Sequence, residues 1–565
     1  MSSGPHPVLD RPWRRPGALR YGLSRARQIA RPPISIYAPR PGDLIIERDV
    51  PVPTRDGTVL RVNVHRPVDG DAVPVLMSAH PYGKDNVPHR EGRRPRIPLQ
   101  YRMMRAPAPI RHSDLTSWEA PDPVWWVKQG YAVINADLRG AGTSEGVGSL
   151  MSDEEAEDIH DLIEWAAKQP WSSGNVGLLG VSYLAISQYK VAGLRPPSLK
   201  AICPWEGMTD PYRDLMRPGG MLEDGFAKVW STQTRKVARL GVDLGAEQRA
   251  HPVIDDFWHS VTVNPSAIVV PMLVCTSFSD NNLHSRGSFR AFQQAGSQDK
   301  FAYTHRGGKW SVFYSDEARR VQLGFFDRYL RGLDREAPPR VRLEVRESRD
   351  VVTAVRDESA WPLERTQWRP LYLAPDGLLA DKPSDSEGQI TFQSKRNAAA
   401  FTFTVPEDLE LTGPMAARLW VSVDGGDDAD LYLGVEKWRG RRYVPFEGSY
   451  GWGRDRVTTG WQKLSLRELD ELRSTPAEPV HTFAQKQPLA PGEVVCVDVP
   501  LGPSATLFRA GESLRFVVAG RWLSNRNPFS GQFPAHYRPG PDVRCTLHWG
   551  PDRPARLLVP VMPPA

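Results

Sequence analysis

From about residue 44 to 340, short apolar runs rich in β-formers alternate with stretches whose apolar residues recur at helical spacing, the pattern of a parallel sheet covered by helices. The runs at 75–80, 131–137, 176–180, 200–204, 272–278 and 301–305 read as buried strands. Between two of them, residues 153–169 place Ala156, Ile159, Leu162, Ile163 and Ala166 on one helical face, and Pro170 stops the helix. A second helix over 316–331 carries Val321, Leu323, Phe325, Phe326, Tyr329 and Leu330. Between Trp205 and about Pro265 the strand pattern lapses into helices and loops, where a cap would sit. Beyond Pro338 and Pro339 alternating runs such as 341–345, 401–405, 417–423, 494–499 and 514–518, separated by Gly, Pro and Asp turns, predict an all-β sandwich. The expected parts are an arm at 1–43, an α/β domain at 44–205 and 265–337, a helical cap at 206–264, and a β domain at 338–565.

Composition fits folded domains: 565 residues, 40% hydrophobic and 24% charged, are enough for two or three domains with large cores. The net charge of +6 is not gathered into one long basic run, so nucleic acid is not an expected partner. Arginine does concentrate at the start, with Arg11, Arg14, Arg15, Arg20, Arg25, Arg27, Arg31 and Arg40 against the single acid Asp10. Without a sustained apolar face, this stretch reads as a disordered or surface-wrapping arm. The Arg14-Arg15 pair has no apolar segment after it and does not read as a secretion signal. No apolar stretch approaches a membrane span of ~18 residues. Cys203, Cys275, Cys496 and Cys545 lie far apart without ligand spacing, and a reduced, cytoplasmic setting is expected.

Candidate chemistry centres on Asn175-Val-Gly-Leu-Leu-Gly-Val-Ser182-Tyr-Leu-Ala. Gly-x-Ser occurs five times, ending at Ser24, Ser144, Ser182, Ser504 and Ser513, but only Ser182 has a strand before it and a helical run after it. That context is a nucleophile elbow, a strained strand-to-helix turn that lifts the hydroxyl clear of the sheet and sets it over a helix N-terminus. The usual glycine two positions on is Leu184 here, followed by Ala185. A triad of this kind runs Ser, acid, His along the chain. Asp280 closes the run from Met272 and supplies the acid; His305 ends the last run and leads into Arg306-Gly307-Gly308, a flexible loop suited to a general base. His284, four residues past Asp280, competes but precedes the last strand, so the expected base is His305.

Further motifs resemble the cocaine-esterase-like (CocE/NonD) hydrolases, relatives of X-Pro dipeptidyl-peptidase, from about residue 45 to 565. They are Pro81-Tyr82-Gly83-Lys84, the stretch Asp137-Leu-Arg-Gly-Ala-Gly-Thr-Ser-Glu-Gly146, Gln169-Pro-Trp171, Gly180-Val-Ser-Tyr183, Pro204-Trp-Glu-Gly207, Asp280 with Leu283-His-Ser-Arg-Gly-Ser-Phe289, Gly332, and Pro500-Leu-Gly-Pro-Ser-Ala-Thr-Leu-Phe508. The resemblance implies an α/β-hydrolase domain with an inserted short helical cap, followed by a C-terminal jelly-roll β-sandwich. It puts the elbow glycine three residues after the serine, where Ala185 stands. It also implies an oxyanion hole made by the backbone N–H of Tyr183 and the phenol of Tyr82. Asp137 and Arg139 read as a strand-end pair.

The expected activity is hydrolysis of a carboxylic ester or amide through an acyl-enzyme on Ser182, with His305 as base and Asp280 ionised throughout. X-Pro dipeptidyl-peptidase activity is the alternative; it needs an acidic group for the peptide ammonium, for which Glu206, Asp210 and Glu223 are candidates. An inactive hydrolase domain carrying a jelly-roll binding module is the reading from another class. No His-Glu-x-x-His or similar cluster appears, and no metal or cofactor is expected. The expected partner is a small-molecule ester or amide, with a homodimer as the assembly considered.

Overall fold

The apolar runs become a twisted sheet because each is bounded by turn residues and buried on both faces by helices. The structure, a computed structural model, describes residues 7–10, 17–32, 34–88, 90–91, 94–95, 97, 101, 110–448, 453–524, 532 and 534–563. Its strands are β1 (Ile45–Pro53), β2 (Val59–Arg66), β3 (Val73–His80), β4 (Ala132–Asp137), β5 (Ser172–Val181), β6 (Leu199–Trp205), β7 (Met272–Ser277), β8 (Lys300–His305), β9 (Val341–Ser348) and β10 (Val351–Glu358). Pairing sets the spatial order β1-β2-β4-β3-β5-β6-β7-β8-β9-β10, parallel from β4 to β9 and antiparallel at both edges. The order reverses around β3 and β5, a switch point at whose carboxyl edge open α/β sheets bind ligands.

Helix Asp153–Ala167 starts at Ser152, whose hydroxyl accepts from the Glu155 N–H, with three acids in its first turn against the helix dipole. Ala156, Ile159, Leu162, Ile163 and Ala166 are buried, as the spacing predicts. Helix Asp316–Arg331 is capped by Ser315 and ends at the left-handed Gly332. It covers β5 where Gly177 leaves room: a Cβ there would stand 2.8 Å from Phe326.

Between β6 and β7 lie a helical turn at Tyr212–Met216 and the helices Phe226–Thr234, Leu244–Ala250 and Asp256–Val261. The C-terminal part is mostly β. Its long strand Leu409–Asp424 pairs antiparallel with Val495–Phe508, and Asp430–Arg439 pairs with Thr458–Lys463 and Ser513–Ala519. These strands enclose a second apolar core that includes Leu419, Val421, Leu433, Phe516 and Val518.

One expected element changes sheets. The 341–345 run, read as the first strand of the sandwich, is β9, paired parallel with β8 through Ala302–Val341, and its Val341, Leu343 and Val345 belong to the α/β core. An alternating pattern shows which face of a strand is buried but not which sheet it joins. In the arm, Arg11, Arg14 and Arg15 lie outside the described residues. Val8–Leu9 pairs with Ala398–Ala399 of the C-terminal part, and helix Ala18–Ala30 buries Arg25 and Tyr21. The described portion of the arm therefore wraps the surface. All four cysteines are free. Among the described residues no helix is long and apolar enough to cross a membrane.

Candidate active site

The elbow forms as the sequence predicts. Ser182 follows β5 directly with φ 61° and ψ −116°, a left-handed backbone a serine adopts only at a cost, and helix Tyr183–Gly193 starts immediately after it. Gly180 permits the turn, because a Cβ there would stand 2.4 Å from the Leu184 Cβ. Ala185 is fully buried, and the space for its methyl comes from Gly207 across the helix–sheet contact, where a Cβ would lie 3.0 Å from that methyl. The helix has no side-chain N-cap. The first N–H of an α-helix has no internal acceptor, so the Tyr183 N–H sits beside Ser182 as a donor.

The histidine at Ser182 is His284, which corrects the expectation for His305. Ser182 Oγ lies 3.2 Å from His284 Nε2, and His284 Nδ1 lies 2.5 Å from Asp280 Oδ2. All three are buried, Ser182 at 8% exposure and the others at 1%. After β7 the chain turns helically, the His284 N–H donating to the Asp280 carbonyl, so the two side chains stand four residues apart on one face. His305 is still inside the sheet, level with Ser277. Its strand, β8, is three strands from β5, about 14 Å at the usual ~4.8 Å strand spacing. Its imidazole faces the end of β6 instead, where Nε2 lies 3.1 Å from Glu206 Oε1 and the ring stacks on Trp205.

Lys309, which sequence reasoning missed, stands where the loop after His305 was expected to be flexible. It is 2% exposed and opens the short helix Lys309–Phe313. Its ammonium donates to Asp280 Oδ2 at 2.7 Å, lies 2.8 Å from His284 Nδ1, and is 3.8 Å from Glu206 Oε2. Burial favours the neutral acid at Asp280, but Lys309 and His284 outweigh it and hold the carboxyl well below the usual range. Burial and then Lys309 lower the His284 pKa, against the opposing pull of Asp280. Glu119, buried nearby, is pushed up to about 8 by burial, opposed by Lys309.

Tyr82 follows β3, and its hydroxyl interacts with Ser182 while accepting from Trp230 Nε1 at 3.0 Å. Trp230 lies on the inserted helix Phe226–Thr234 and stacks on the Tyr183 ring, 6.1 Å between centroids. The Tyr183 hydroxyl itself points away, donating to Glu155 Oε2 at 2.6 Å. Accepting from the indole leaves the Tyr82 O–H proton as the group's donor. Trp230 carried no sequence signal beyond being an aromatic in the cap.

The Asp137–Arg139 pair is not formed. Asp137 accepts from the Lys84 backbone N–H and, at 3.1 Å, from Lys84 Nζ, whereas Arg139 makes a two-pronged contact with Asp158 and a third to Asp56. Of the three acids considered for an ammonium, Glu206 faces His305, Asp210 pairs with Arg213 at 2.9 Å, and Glu223 accepts from the N–H groups of Gly225, Phe226 and Ala227. Glu206, Cys275 and His305 are close enough to share a cation, their ligand atoms within 4.8 Å of one another. With the Lys309 ammonium beside Glu206 and His305 already bonded to it, the donor set fits an ion-pair cluster better than a metal centre.

The strand order and the serine elbow define an α/β-hydrolase. Residues 56–309 match the X-Pro dipeptidyl-peptidase (S15 family) profile, and residues 334–552 match that of the X-Pro dipeptidyl-peptidase C-terminal non-catalytic domain. A CocE/NonD family hydrolase from Staphylococcus aureus superposes with a TM-score of 0.86 at 36% identity, covering 92% of this chain and 94% of that one. The cocaine esterase of Rhodococcus sp. (strain MB1 Bresler) is 24% identical over 92% of this chain and 99% of its own length. An aminopeptidase from a Thaumarchaeota archaeon shares the fold, with a TM-score of 0.70 at 17% identity over 93% of this chain and 98% of that one. The chain belongs to the CocE/NonD hydrolase family, whose relatives include esterases and dipeptidyl-peptidases.

Proposed function

We propose that the protein hydrolyses carboxylic esters or amides through Ser182, with His284 as general base, Asp280 fixing its tautomer, and an oxyanion hole made by the Tyr183 N–H and the Tyr82 hydroxyl. The observation that carries this reading is the hydrogen-bonded chain from Ser182 Oγ through His284 to Asp280, set at a strained elbow. With the Nδ1 proton held by Asp280, Nε2 is left to accept the Ser182 proton as Oγ attacks the acyl carbonyl. Charge developing on the carbonyl oxygen then meets the Tyr183 N–H and the Tyr82 O–H. The leaving group departs with the proton from His284, and water activated by the same imidazole releases the acid.

An ester or simple amide is favoured over an X-Pro peptide because Asp210 and Glu223 are held by protein groups, and Glu206, with Oε1 on His305, has the Lys309 ammonium 3.8 Å from its Oε2. The mostly β C-terminal part is read as a jelly roll that supports the catalytic part: the Pro500–Pro503 stretch packs on the turn after β7, where a Cβ on Gly502 would lie 2.4 Å from Asn281 Oδ1. A fluorophosphonate probe should label the wild-type protein covalently and leave Ser182→Ala unlabelled. Absence of labelling in the wild type, or equal labelling of the variant, would refute the reading and favour an inactive binding module.

A further inference from the structure

We propose that Lys309 is a positioning residue of the catalytic site, whose ammonium anchors Asp280 and disfavours protonation of His284, so that the base stays available at mildly acidic pH. The inference rests on the reading of Ser182, His284 and Asp280 given above and extends it to the group behind them.

The geometry carries it. Lys309 Nζ and His284 Nδ1 both converge on Asp280 Oδ2, at 2.7 and 2.5 Å, and lie 2.8 Å from each other. With two donors on one oxygen, the carboxylate cannot swing from the imidazole without also leaving the ammonium. When His284 takes a proton, a second cation appears within 3 Å of the first in a site with almost no solvent. Like charges that close in a low-dielectric setting disfavour the protonated imidazole. A buried lysine is expensive unless paired, and this one is held by a ring of acids: Asp280 in contact, Glu206 at 3.8 Å, and Glu119 nearby.

The titratable groups acting on His284 are Asp280 on its own turn, Lys309 on the helix after β8, and Glu206 just past β6; Glu119 acts one step further out, on Lys309 and Asp280. Asp280 and Glu206 favour the imidazolium, and Lys309 opposes it. Burial acts in the same direction as Lys309. The His284 pKa is held below its ordinary value by burial and by Lys309, so base function is lost only as pH falls through that depressed pKa.

The test is the pH profile of kcat/KM for p-nitrophenyl acetate in wild type, Lys309→Met, Lys309→Arg and Glu206→Gln. Lys309→Met should move the acid limb to higher pH by about one unit and lower kcat more than it changes KM. Lys309→Arg, which keeps the charge, should hold the limb within a few tenths of a unit. Glu206→Gln leaves Lys309 less neutralised and should move the limb to lower pH, the opposite direction. If Lys309→Met does not fold, Lys309→Gln, which can still donate to Asp280 but carries no charge, takes its place with the same upward shift expected. An acid limb unmoved in Lys309→Met, or moved up in Glu206→Gln, overturns the role of Lys309. Loss of fluorophosphonate labelling in the wild type would instead overturn the serine mechanism beneath it.

Discussion

The turn after β7 and the turn after β8 leave the same edge of the sheet from neighbouring strands, each with a buried histidine, yet the two imidazoles face different partners. The β7 turn winds helically at once, bringing His284 back over Ser182 while Asp280 holds it from the preceding turn. At β8 the histidine is the last residue of the strand itself, too far across the sheet to reach Ser182, and it closes a pair with Glu206. What the β8 turn sends to the site is a cation, Lys309, four residues later. Position along the chain selects which loops surround a nucleophile; whether the chain has left the strand decides which side chain arrives.

The largest loss is expected from a change at the acid. Asp280→Asn keeps the shape of the site but replaces an acceptor by an amide that can donate, so His284 loses both its tautomer preference and its anchor. The expected loss in kcat is about 10⁴-fold, by analogy with triads in which the same change leaves geometry intact. A loss below tenfold would mean that the β7 turn is not the catalytic one.

Tyr82→Phe, at the opposite wall, removes one oxyanion donor and leaves the Trp230 N–H without its acceptor. A fall of about 10²- to 10³-fold in kcat with little change in KM is expected, measured on a p-nitrophenyl ester. An unchanged kcat would leave the Tyr183 N–H to work with some other donor.

Much of this was legible in the chain. All six predicted buried runs are strands, and the two predicted helices start and end within two residues of 153–169 and 316–331, because apolar periodicity, Ser caps and the Gly332 stop are local signals. Ser182 was legible from the strand before it and the helix after it. The base was not, since strand register decides that His305 stays level with Ser277, and register is a property of the assembled sheet. A signal for His284 was present: an acid and a histidine four apart at the start of a helical pattern lie on one face. The partners of Asp137 and Arg139 and the sheet joined by residues 341–345 were illegible for a similar reason, since each depends on contacts across the fold. Lys309 and Trp230 were hidden because one lysine after two glycines, or one aromatic in a cap, looks like many others until packing aims it.

The assignment of the two histidines is tested most directly by the rate of fluorophosphonate labelling at Ser182 in His284→Ala and His305→Gln, with thermal unfolding followed alongside. The account predicts that labelling collapses by about 10⁴-fold in His284→Ala. In His305→Gln it should remain within about threefold of wild type, with stability lowered by about 1–3 kcal/mol as Glu206 loses a buried partner. Near-normal labelling in a folded His284→Ala together with collapse in a folded His305→Gln would contradict it.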